Sequence, residues 1–170
     1  GDTLVLESLE SLWKLDMGNR SIGMGPESTV DAGRREFLGL EKQMYCNAGV
    51  LLINLEKWRE RKLGEKVLEY YKKHDGNLFA NDQDAINGSL KDDIYVFSPK
   101  YNFFNIYFFY PYKVLKKLSL PAEFISKKEL QESIKEPVIV HYLGEERPWR
   151  KGNTHKLRKQ YLYYFEKTPW

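Results

Sequence analysis

The sequence predicts an α/β fold, because apolar segments of strand length alternate with segments whose apolar residues recur at helical spacing. Hydrophobic residues make up 42% and aromatic residues 15% of the 170 residues, so the chain can bury one sizeable core. No internal repeat, low-complexity tract or linker interrupts the alternation. We therefore expect a single domain over residues 1–170.

The composition argues against several classes of protein. The 27 Lys and Arg residues nearly match the 24 Asp and Glu residues, and the resulting net charge of +3 does not favour a nucleic-acid binder. The one cysteine, Cys46, excludes an internal disulfide and is typical of a reducing compartment, so a cytoplasmic location is expected. No apolar run approaches the roughly 18 residues of a membrane span. With no leader pattern at its start, the chain predicts a soluble or at most peripheral protein.

The first half of the chain predicts two strands, each followed by a helix. Residues 3–6 (TLVL) are typical of a strand, and residues 8–15 have apolar residues at helical spacing. Residues 16–34, which are rich in Gly, Asp and Ser, predict a loop. The segment YCNAGVLLINL at 45–55 predicts an apolar strand. The helix that follows it carries four apolar residues on one face, namely Leu63, Val67, Leu68 and Tyr71.

The second half continues the alternation. NDQDAINGSL at 81–90 predicts a short helix capped by Asn81 or Asp82, and IYVF at 94–97 predicts another strand. In SKKEL at 126–130, serine and glutamate stand at the spacing of a capping box, so a helix is expected to begin there.

A histidine ends the last predicted strand. The segment VIVHYLGEERPW at 138–149 places His141 directly after three β-branched apolar residues, at the carboxyl end of a strand that leaves the core. Open α/β sheets bind ligands at that end of their strands. Taken alone, His141 is better explained as a structural histidine bonded to a nearby carbonyl group.

Three segments together give a family resemblance. They are GDTLV at the start, YCNAGVLLINL with NDQDAIN in the middle, and HYLGEERPW near the end. In this order they resemble the family 8 glycosyltransferases, retaining enzymes with a GT-A fold that transfer glucose or galactose from a UDP-sugar with the help of Mn2+. The resemblance runs from Gly1 almost to the end, where YLYYFEKTPW is similar to the aromatic ending of many bacterial members. It implies a mixed sheet flanked by helices.

The resemblance implies a metal site. Asp2 matches the second aspartate of the family's Asp-x-Asp motif, and His141 matches the third ligand of Mn2+ (or Mg2+). Mn2+ accepts mixed carboxylate and imidazole ligands and neutralises phosphate oxygens. The motif's first aspartate would lie one position before Gly1, and the family's uridine-binding region would precede it. We therefore expect these 170 residues to be the carboxyl-terminal part of a GT-A domain and to be inactive alone.

The segment after His141 matches the family's phosphate-binding motif. Arg147 stands where the family usually has lysine, and arginine keeps the positive charge while offering a fork that binds two oxygens. Gly144 would let the backbone approach the diphosphate of the donor. Without the motif, Arg147 would be an ordinary surface arginine in a loop of mixed charge.

The Asp-Gln-Asp motif implies the residues that handle the sugar. Gln83 matches the residue whose amide oxygen faces the anomeric carbon, Asp82 matches a residue that binds hydroxyl groups of the donor sugar, and Asp84 is assigned to donor binding. A neutral amide can stabilise an oxocarbenium-like transition state. Carboxylates at a helix start also serve as caps, and at least one of the two can be explained in that way.

The middle strand supplies the rest of the predicted donor pocket. Asn47, Ala48 and Gly49 offer one amide and two small residues to the sugar, although plain strand packing would also explain them. The implied partners are UDP-glucose or UDP-galactose and a saccharide acceptor, for example on lipopolysaccharide or another surface glycan. Two alternatives stay open: a metal-dependent phosphodiester hydrolase, which would need more clustered carboxylates, and a non-catalytic sugar-binding or partner-binding module.

Two aromatic segments complete the picture. FNIYFFYPY at 104–112 could stack on sugar rings, but we expect most of its aromatic residues in the core. Residues 150–170 form a basic, aromatic helix or tail, a combination typical of a helix at an anionic membrane surface. A terminal helix that packs on the core explains the same residues equally well.

Overall fold

A computed structural model describes residues 2–169, and within them the predicted α/β fold is confirmed. The strands are β1 (Thr3–Val5), β2 (Ile22–Pro26), β3 (Cys46–Ile53), β4 (Ile94–Val96) and β5 (Ile139–His141). The α-helices are α1 (Glu10–Trp13), α2 (Ala32–Phe37), α3 (Leu55–Glu60), α4 (Leu63–Lys73), α5 (Asn81–Leu90), α6 (Ile106–Phe109), α7 (Tyr112–Ser119), α8 (Lys127–Lys135) and α9 (Arg158–Phe165). Short 3-10 helices lie at Pro99–Tyr101 and Gly144–Glu146.

The strands form a mixed sheet in two linked parts. Strand β2 pairs antiparallel with β3 and parallel with β4, and β1 pairs antiparallel with β5. The segment that leaves β4 joins the two parts. The Phe97 N–H still donates to Met24 O of β2, whereas Phe103 forms a parallel bridge with Val140 of β5. Residues 97–103 therefore bring the start of β3 close to the end of β5.

Two features of the pairing shape the site, and they lie at the carboxyl ends of β2 and β5, opposite the amino ends of β3 and β1. Between Met24 and Gly25 the register of β2 against β3 shifts, because Met24 pairs with Leu51 and Gly25 with Asn47. The bulge places the predicted Asn-Ala-Gly segment out of the regular ladder, as bulges beside functional sites commonly do. In the other part, Thr3 pairs with His141, and the Tyr142 N–H donates to Asp2 O at 2.7 Å.

The main core lies between the sheet and the helices. Ile22 and Met24 of β2, Cys46 of β3 and Phe103 are fully buried there against Leu115 of α7. In the segment 104–112, Phe104 and Tyr107 are buried as predicted, while Phe109 is 61% exposed. Among residues 2–169, no helix has both the length and the apolarity needed to cross a bilayer.

The loop predicted for residues 16–34 is wrong, because this segment contains β2 and the start of α2. Two glycines and a proline in IGMGP gave no strand signal, yet all five residues are buried. The glycines are needed for close packing: a Cβ on Gly25 would lie 2.9 Å from the Asn102 Cβ, and one on Gly23 would lie 3.0 Å from the Met17 sulfur. Tertiary packing overrides local propensity here.

The helix ends were predicted with mixed success. Ser126 caps α8 as expected, since its hydroxyl accepts from the Glu129 N–H at 3.1 Å. The helix predicted at 81–90 is confirmed as α5, but its predicted cap is wrong, because the N-cap is Ala80 and neither Asn81 nor Asp82 caps it. Instead, Asp84 of the first turn accepts from the Ala80 N–H at 3.0 Å. The predicted apolar face of α4 is also only partly buried, since Leu68 is 51% exposed.

Candidate active site

The strand register brings three predicted residues together at one end of the sheet. Because Thr3 is opposite His141, Asp2 lies beside the imidazole, and its Oδ1 is 3.6 Å from His141 Nε2. The other carboxylate oxygen of Asp2 is 3.7 Å from a terminal nitrogen of Arg147. Residues from opposite ends of the chain thus bring a carboxylate, an imidazole and a guanidinium group close together.

The tautomer of His141 follows from its buried partner. His141 Nδ1 lies 2.9 Å from Asn102 Oδ1, and this oxygen can only accept, so Nδ1 carries the proton. The lone pair of Nε2 then faces Asp2. Burial lowers the pKa of His141 below its ordinary value; Asp2 acts in the opposite direction, and Arg147 adds to the lowering. The imidazole is therefore neutral near pH 7, which is the form that binds metal ions.

Gly49 makes room for this imidazole. A Cβ on Gly49 would lie 2.0 Å from His141 Cε1 and 2.3 Å from its Nδ1, distances that no side chain tolerates. The Gly49 N–H instead donates to Asn47 Oδ1 at 2.9 Å. Glycine is needed at this position because the backbone of the middle strand lies directly against the ring.

A chain of hydrogen bonds continues from His141 into the middle strand. Asn102 Nδ2 donates to Asn47 Oδ1 at 2.9 Å, which leaves Asn102 Oδ1 for the imidazole. Asn47 Nδ2 donates in turn to Glu27 Oε2 at 3.0 Å. Both amides are buried, so losing one of these bonds would leave an unpaired polar group in the interior. The chain therefore fixes the two asparagines relative to His141.

The amide of Gln83 is held at both ends at the far side of this chain. Its Oε1 accepts from the Ala48 N–H at 3.0 Å, and its Nε2 donates to Glu27 Oε2 at 3.1 Å and to the Tyr45 hydroxyl at 2.9 Å. These three contacts fix which end of the amide is oxygen. One lone pair of Oε1 stays free for a further partner.

The two aspartates that flank Gln83 have different surroundings. Asp84 is buried, and its Oδ1 accepts from Arg34 and from the Tyr45 hydroxyl, the latter at 2.7 Å. With the Ala80 N–H on its other oxygen, Asp84 is satisfied within the protein and fixes α5 and Arg34. Asp82 is exposed at the start of α5. Of the two carboxylates, Asp82 is the one accessible to a ligand.

Glu27 was missed by the sequence analysis. It follows β2 in the segment that was predicted to be a loop, and no local pattern marks it. Burial raises the pKa of its carboxyl above the ordinary value, while the amides of Asn47 and Gln83 act in the opposite direction. Arg34 and Tyr45 were missed for the same reason, since only the tertiary fold brings them to Asp84.

The last predicted residues lie in the turn after β5. Gly144 has φ of +57°, a left-handed conformation that favours glycine, and it opens the 3-10 turn that leads to Arg147. Arg147 Nε is buried and has no hydrogen-bond partner. Within residues 2–169, no group of three or more His, Cys, Asp or Glu side chains is arranged to hold a metal ion. Asp2 and His141 thus make a two-residue site.

Comparison with known proteins decides the family. The model of Glycosyl transferase family 8 matches residues 1–153. The chain belongs to this glycosyltransferase family. General stress protein A of Bacillus subtilis is 32% identical over 99% of the chain, and lipopolysaccharide 1,2-glucosyltransferase of Escherichia coli is 30% identical over 74% of it. The chain spans 57% and 34%, respectively, of these two relatives.

Solved structures confirm the predicted GT-A fold. The galactosyltransferase LgtC, in complex with donor and acceptor sugar analogues, matches 99% of the chain with a TM-score of 0.78 at 24% identity. The chain covers 59% of LgtC. The sequence resemblance to family 8 glycosyltransferases is therefore confirmed for both family and fold.

The surroundings of Glu27 predict a pH effect on stability. Because burial raises the pKa of Glu27, the folded state keeps its proton to a higher pH than the unfolded state does. The resulting contribution to the free energy of unfolding is present below pH 4.5, the ordinary pKa, and is lost as the pH rises through the folded-state value. Glu27→Gln cannot ionise, so we expect this variant to gain stability relative to the wild type as pH rises in urea denaturation.

The matched control is Glu60→Gln, which changes an exposed glutamate of α3. Its stability difference from the wild type should show no comparable rise over the same pH range. A stability difference between Glu27→Gln and the wild type that stays constant with pH would contradict the buried, perturbed carboxylate.

Proposed function

We propose that the protein containing this chain is a retaining hexosyltransferase that uses UDP-glucose or UDP-galactose, with Mn2+ or Mg2+, to glycosylate a saccharide. The observation that carries the proposal is the amide of Gln83, held by Ala48, Glu27 and Tyr45. The chain of hydrogen bonds that fixes it also orients His141. A preorganised polar site of this kind stabilises charge that develops during a reaction.

Asp2 and His141 fit the role of metal ligands. Ligand atoms about 2.1 Å from a cation lie about 3.0 to 4.2 Å apart, and the measured separation of Asp2 Oδ1 and His141 Nε2 is 3.6 Å. The bond to Asn102 leaves Nε2 unprotonated and pointed at the carboxylate, so the pair offers a cation one imidazole nitrogen and one carboxylate oxygen. When bound, the cation would neutralise the donor's diphosphate and support its departure.

Arg147 and Gly144 are assigned to the diphosphate of the donor. Arg147 lies 3.7 Å from Asp2, and its buried Nε has no partner within the protein. A phosphate oxygen would supply the missing acceptor, and the planar guanidinium can hold two such oxygens. The left-handed turn at Gly144 allows the backbone to approach the same group closely.

Gln83 is assigned to the reacting carbon. Its amide oxygen has a lone pair left after accepting from Ala48, and it would face the positive charge that develops at the anomeric carbon. Because a neutral amide is a poor nucleophile, the departing phosphate would assist the acceptor hydroxyl from the same face. The configuration of the sugar is then retained.

The remaining donor-binding residues surround this position. Exposed Asp82 is assigned to hydroxyl groups of the sugar. Asn47, Ala48 and Gly49 line the pocket, with Asn47 also holding Glu27. Asp84 acts on the donor through Arg34 and the start of α5, which it fixes. Relatives named as lipopolysaccharide glycosyltransferases support a surface glycan as acceptor. The free thiol of Cys46 supports the cytoplasmic location that belongs to this proposal.

Substitutions at the metal and phosphate positions test this function in the full natural polypeptide. We expect His141→Ala to reduce the metal-dependent release of UDP from UDP-sugar. The reduction should exceed the roughly 10- to 100-fold that is typical when a residue that only supports a metal ligand is replaced. Arg147→Ala should chiefly raise KM for the donor, because it removes a contact to the diphosphate. UDP release with UDP-glucose and UDP-galactose, with and without Mn2+, measures both effects.

His74→Ala is the matched control, since His74 lies at the end of α4 and its ring bonds to Tyr70 O and packs on Tyr70 and Phe37, away from Asp2 and His141 in the chain. It should keep wild-type turnover and metal dependence. Unchanged activity in His141→Ala would remove the metal assignment, and a product of inverted anomeric configuration would remove the role of Gln83. A wild-type protein that binds UDP-sugar without releasing UDP would instead be a non-catalytic binding module.

We also propose that residues 150–170 bring the protein to anionic membrane surfaces. Basic residues dominate the segment, and Tyr163 and Phe165 of α9 are 54% and 49% exposed. Tyr161 on the same helix packs against Tyr142 and Trp149, so one part of α9 is anchored to the domain. Exposed aromatic side chains beside lysines are suited to an anionic interface.

Flotation with liposomes measures this association. We expect binding to vesicles that contain phosphatidylglycerol at low salt, and its loss at high salt or with phosphatidylcholine alone, because each basic residue contributes about 1 kcal/mol through the surface potential. Replacing Lys151 and Lys159 by Glu should abolish binding. Replacing Lys72 and Lys73, exposed on α4, by Glu should change it less. No flotation with anionic vesicles at low salt would reject the proposal.

A further inference from the structure

A small cavity lies between α6 and the segment that leads into α9. Its volume is about 90 Å³, and it is lined by Asn105, Phe108, Phe109, Thr154, His155 and Lys156. None of these residues belongs to the donor or metal positions described above. The cavity exceeds the roughly 30 Å³ that one water occupies in the liquid, but it is smaller than a pyranose ring with its substituents.

Two polar atoms of the lining residues are buried without a hydrogen-bond partner. They are Asn105 Oδ1 and His155 Nε2, in side chains that are 7% and 6% exposed. Buried polar atoms are nearly always paired in folded proteins, because an unpaired one costs about 1–3 kcal/mol. Two such atoms in one small cavity indicate a group that bonds to both.

The hydrogen-bonding roles of the two atoms are complementary. His155 Nδ1 accepts from the Leu157 N–H at 3.0 Å, so the ring proton resides on Nε2, which donates. Burial lowers the pKa of His155 to about 4, so the ring stays neutral near pH 7. Asn105 Oδ1 can only accept. The lining residues thus carry one unpaired donor and one unpaired acceptor, and a single hydroxyl group bonded to both would accept from one and donate to the other.

The cavity lies next to the candidate active site. Asn105 follows Asn102, the partner of His141, by three residues, which limits the distance between their Cα atoms to about 11 Å. On the other side, Tyr142 follows His141 directly, and its ring centroid is 4.8 Å from that of His155. The cavity therefore lies beside the two segments that carry Asn102 and His141.

The rim of the cavity suits a sugar ring. Phe109 lines it and is 61% exposed. A ligand that covered this aromatic face would remove apolar surface from water, which is favourable. Lys156 lies over the ring of Phe108 at 4.8 Å and adds a polar edge. An exposed aromatic face beside a small polar cavity fits a hexose whose ring stays outside while one arm enters.

We propose that this cavity is an acceptor subsite that binds the primary hydroxyl group of a hexopyranose unit. The 6-hydroxyl donates to Asn105 Oδ1 and accepts from His155 Nε2–H, and the ring lies against Phe109. We assign the hydroxymethyl arm to the cavity because it is the longest neutral substituent of a hexose. Its hydroxyl group can both donate and accept a hydrogen bond. The subsite rests on the proposed glycosyl transfer, since it names the acceptor of that reaction.

Pairs of acceptors that differ only at this hydroxyl group test the subsite. In the full natural polypeptide, at saturating UDP-sugar, UDP release is measured with methyl β-D-galactopyranoside and its 6-deoxy analogue, and with the corresponding glucoside pair. We expect at least one 6-hydroxy acceptor to exceed its 6-deoxy analogue in kcat/KM by about 10-fold or more, as sites built to bond a hydroxyl group reject analogues that lack it.

Asn105→Leu removes the acceptor atom at similar volume and should reduce this ratio to about 3-fold or less. His155→Phe should do the same, but it also removes the partner of the Leu157 N–H, so Asn105→Leu decides if His155→Phe is unstable. His74→Phe, a histidine replaced outside the cavity, should keep the wild-type ratio.

The following outcomes would overturn the proposed acceptor subsite. If the wild type releases UDP but does not distinguish the sugars, or if Asn105→Leu keeps the distinction, the cavity holds only water and the transferase proposal stands. If the wild type releases no UDP from a UDP-sugar with or without acceptor, the proposed function fails and the subsite fails with it.

Discussion

The side-chain amide of Asn102 is the interaction on which the rest of the candidate site depends. It bonds at one end to His141 and at the other to Asn47, and it is fully buried between the two parts of the sheet. The Asn102 amide offers one donor group, Nδ2, and one acceptor, Oδ1. Because Nδ2 donates to Asn47 Oδ1, the acceptor oxygen is left to face His141 Nδ1. The tautomer of His141 and the orientation of the Asn47 amide are therefore set by the same group.

From Asn102 the polar groups form a connected chain that reaches α5. Asn47 and Gln83 both donate to one oxygen of Glu27, and the Tyr45 hydroxyl links Gln83 to Asp84, whose charge is balanced by Arg34. A buried network of this kind is stable only when every member is satisfied. It joins segments that are far apart in the sequence, so the family's three motifs act as one structural unit in this chain. No member of this network is among the unpaired buried side-chain atoms of the described residues, which include Arg147 Nε, Asn105 Oδ1 and His155 Nε2.

Sequence patterns predicted the elements whose signal is local. The apolar runs of β3 and β5, the capped start of α8 and the strand-end position of His141 follow from periodicity and capping chemistry. Strand β2 was not predictable in this way, because its glycines and proline are tolerated only through close contacts with Asn102 and Met17. Glu27 and Asn102 were missed for a related reason: each is functional through partners that only the folded sheet brings near. The motif residues could be named from the resemblance, but the groups that hold them could not.

The most direct test of this account is the tautomer of His141, read from long-range 1H–15N correlations of its imidazole near neutral pH. The account predicts a protonated Nδ1, with the shift of a pyrrole-type nitrogen, and an unprotonated Nε2 with a pyridine-type shift, because Asn102 Oδ1 can only accept. A proton on Nε2, or an even mixture of the two tautomers, would show that Asn102 does not orient the imidazole and that the chain of hydrogen bonds does not organise the site.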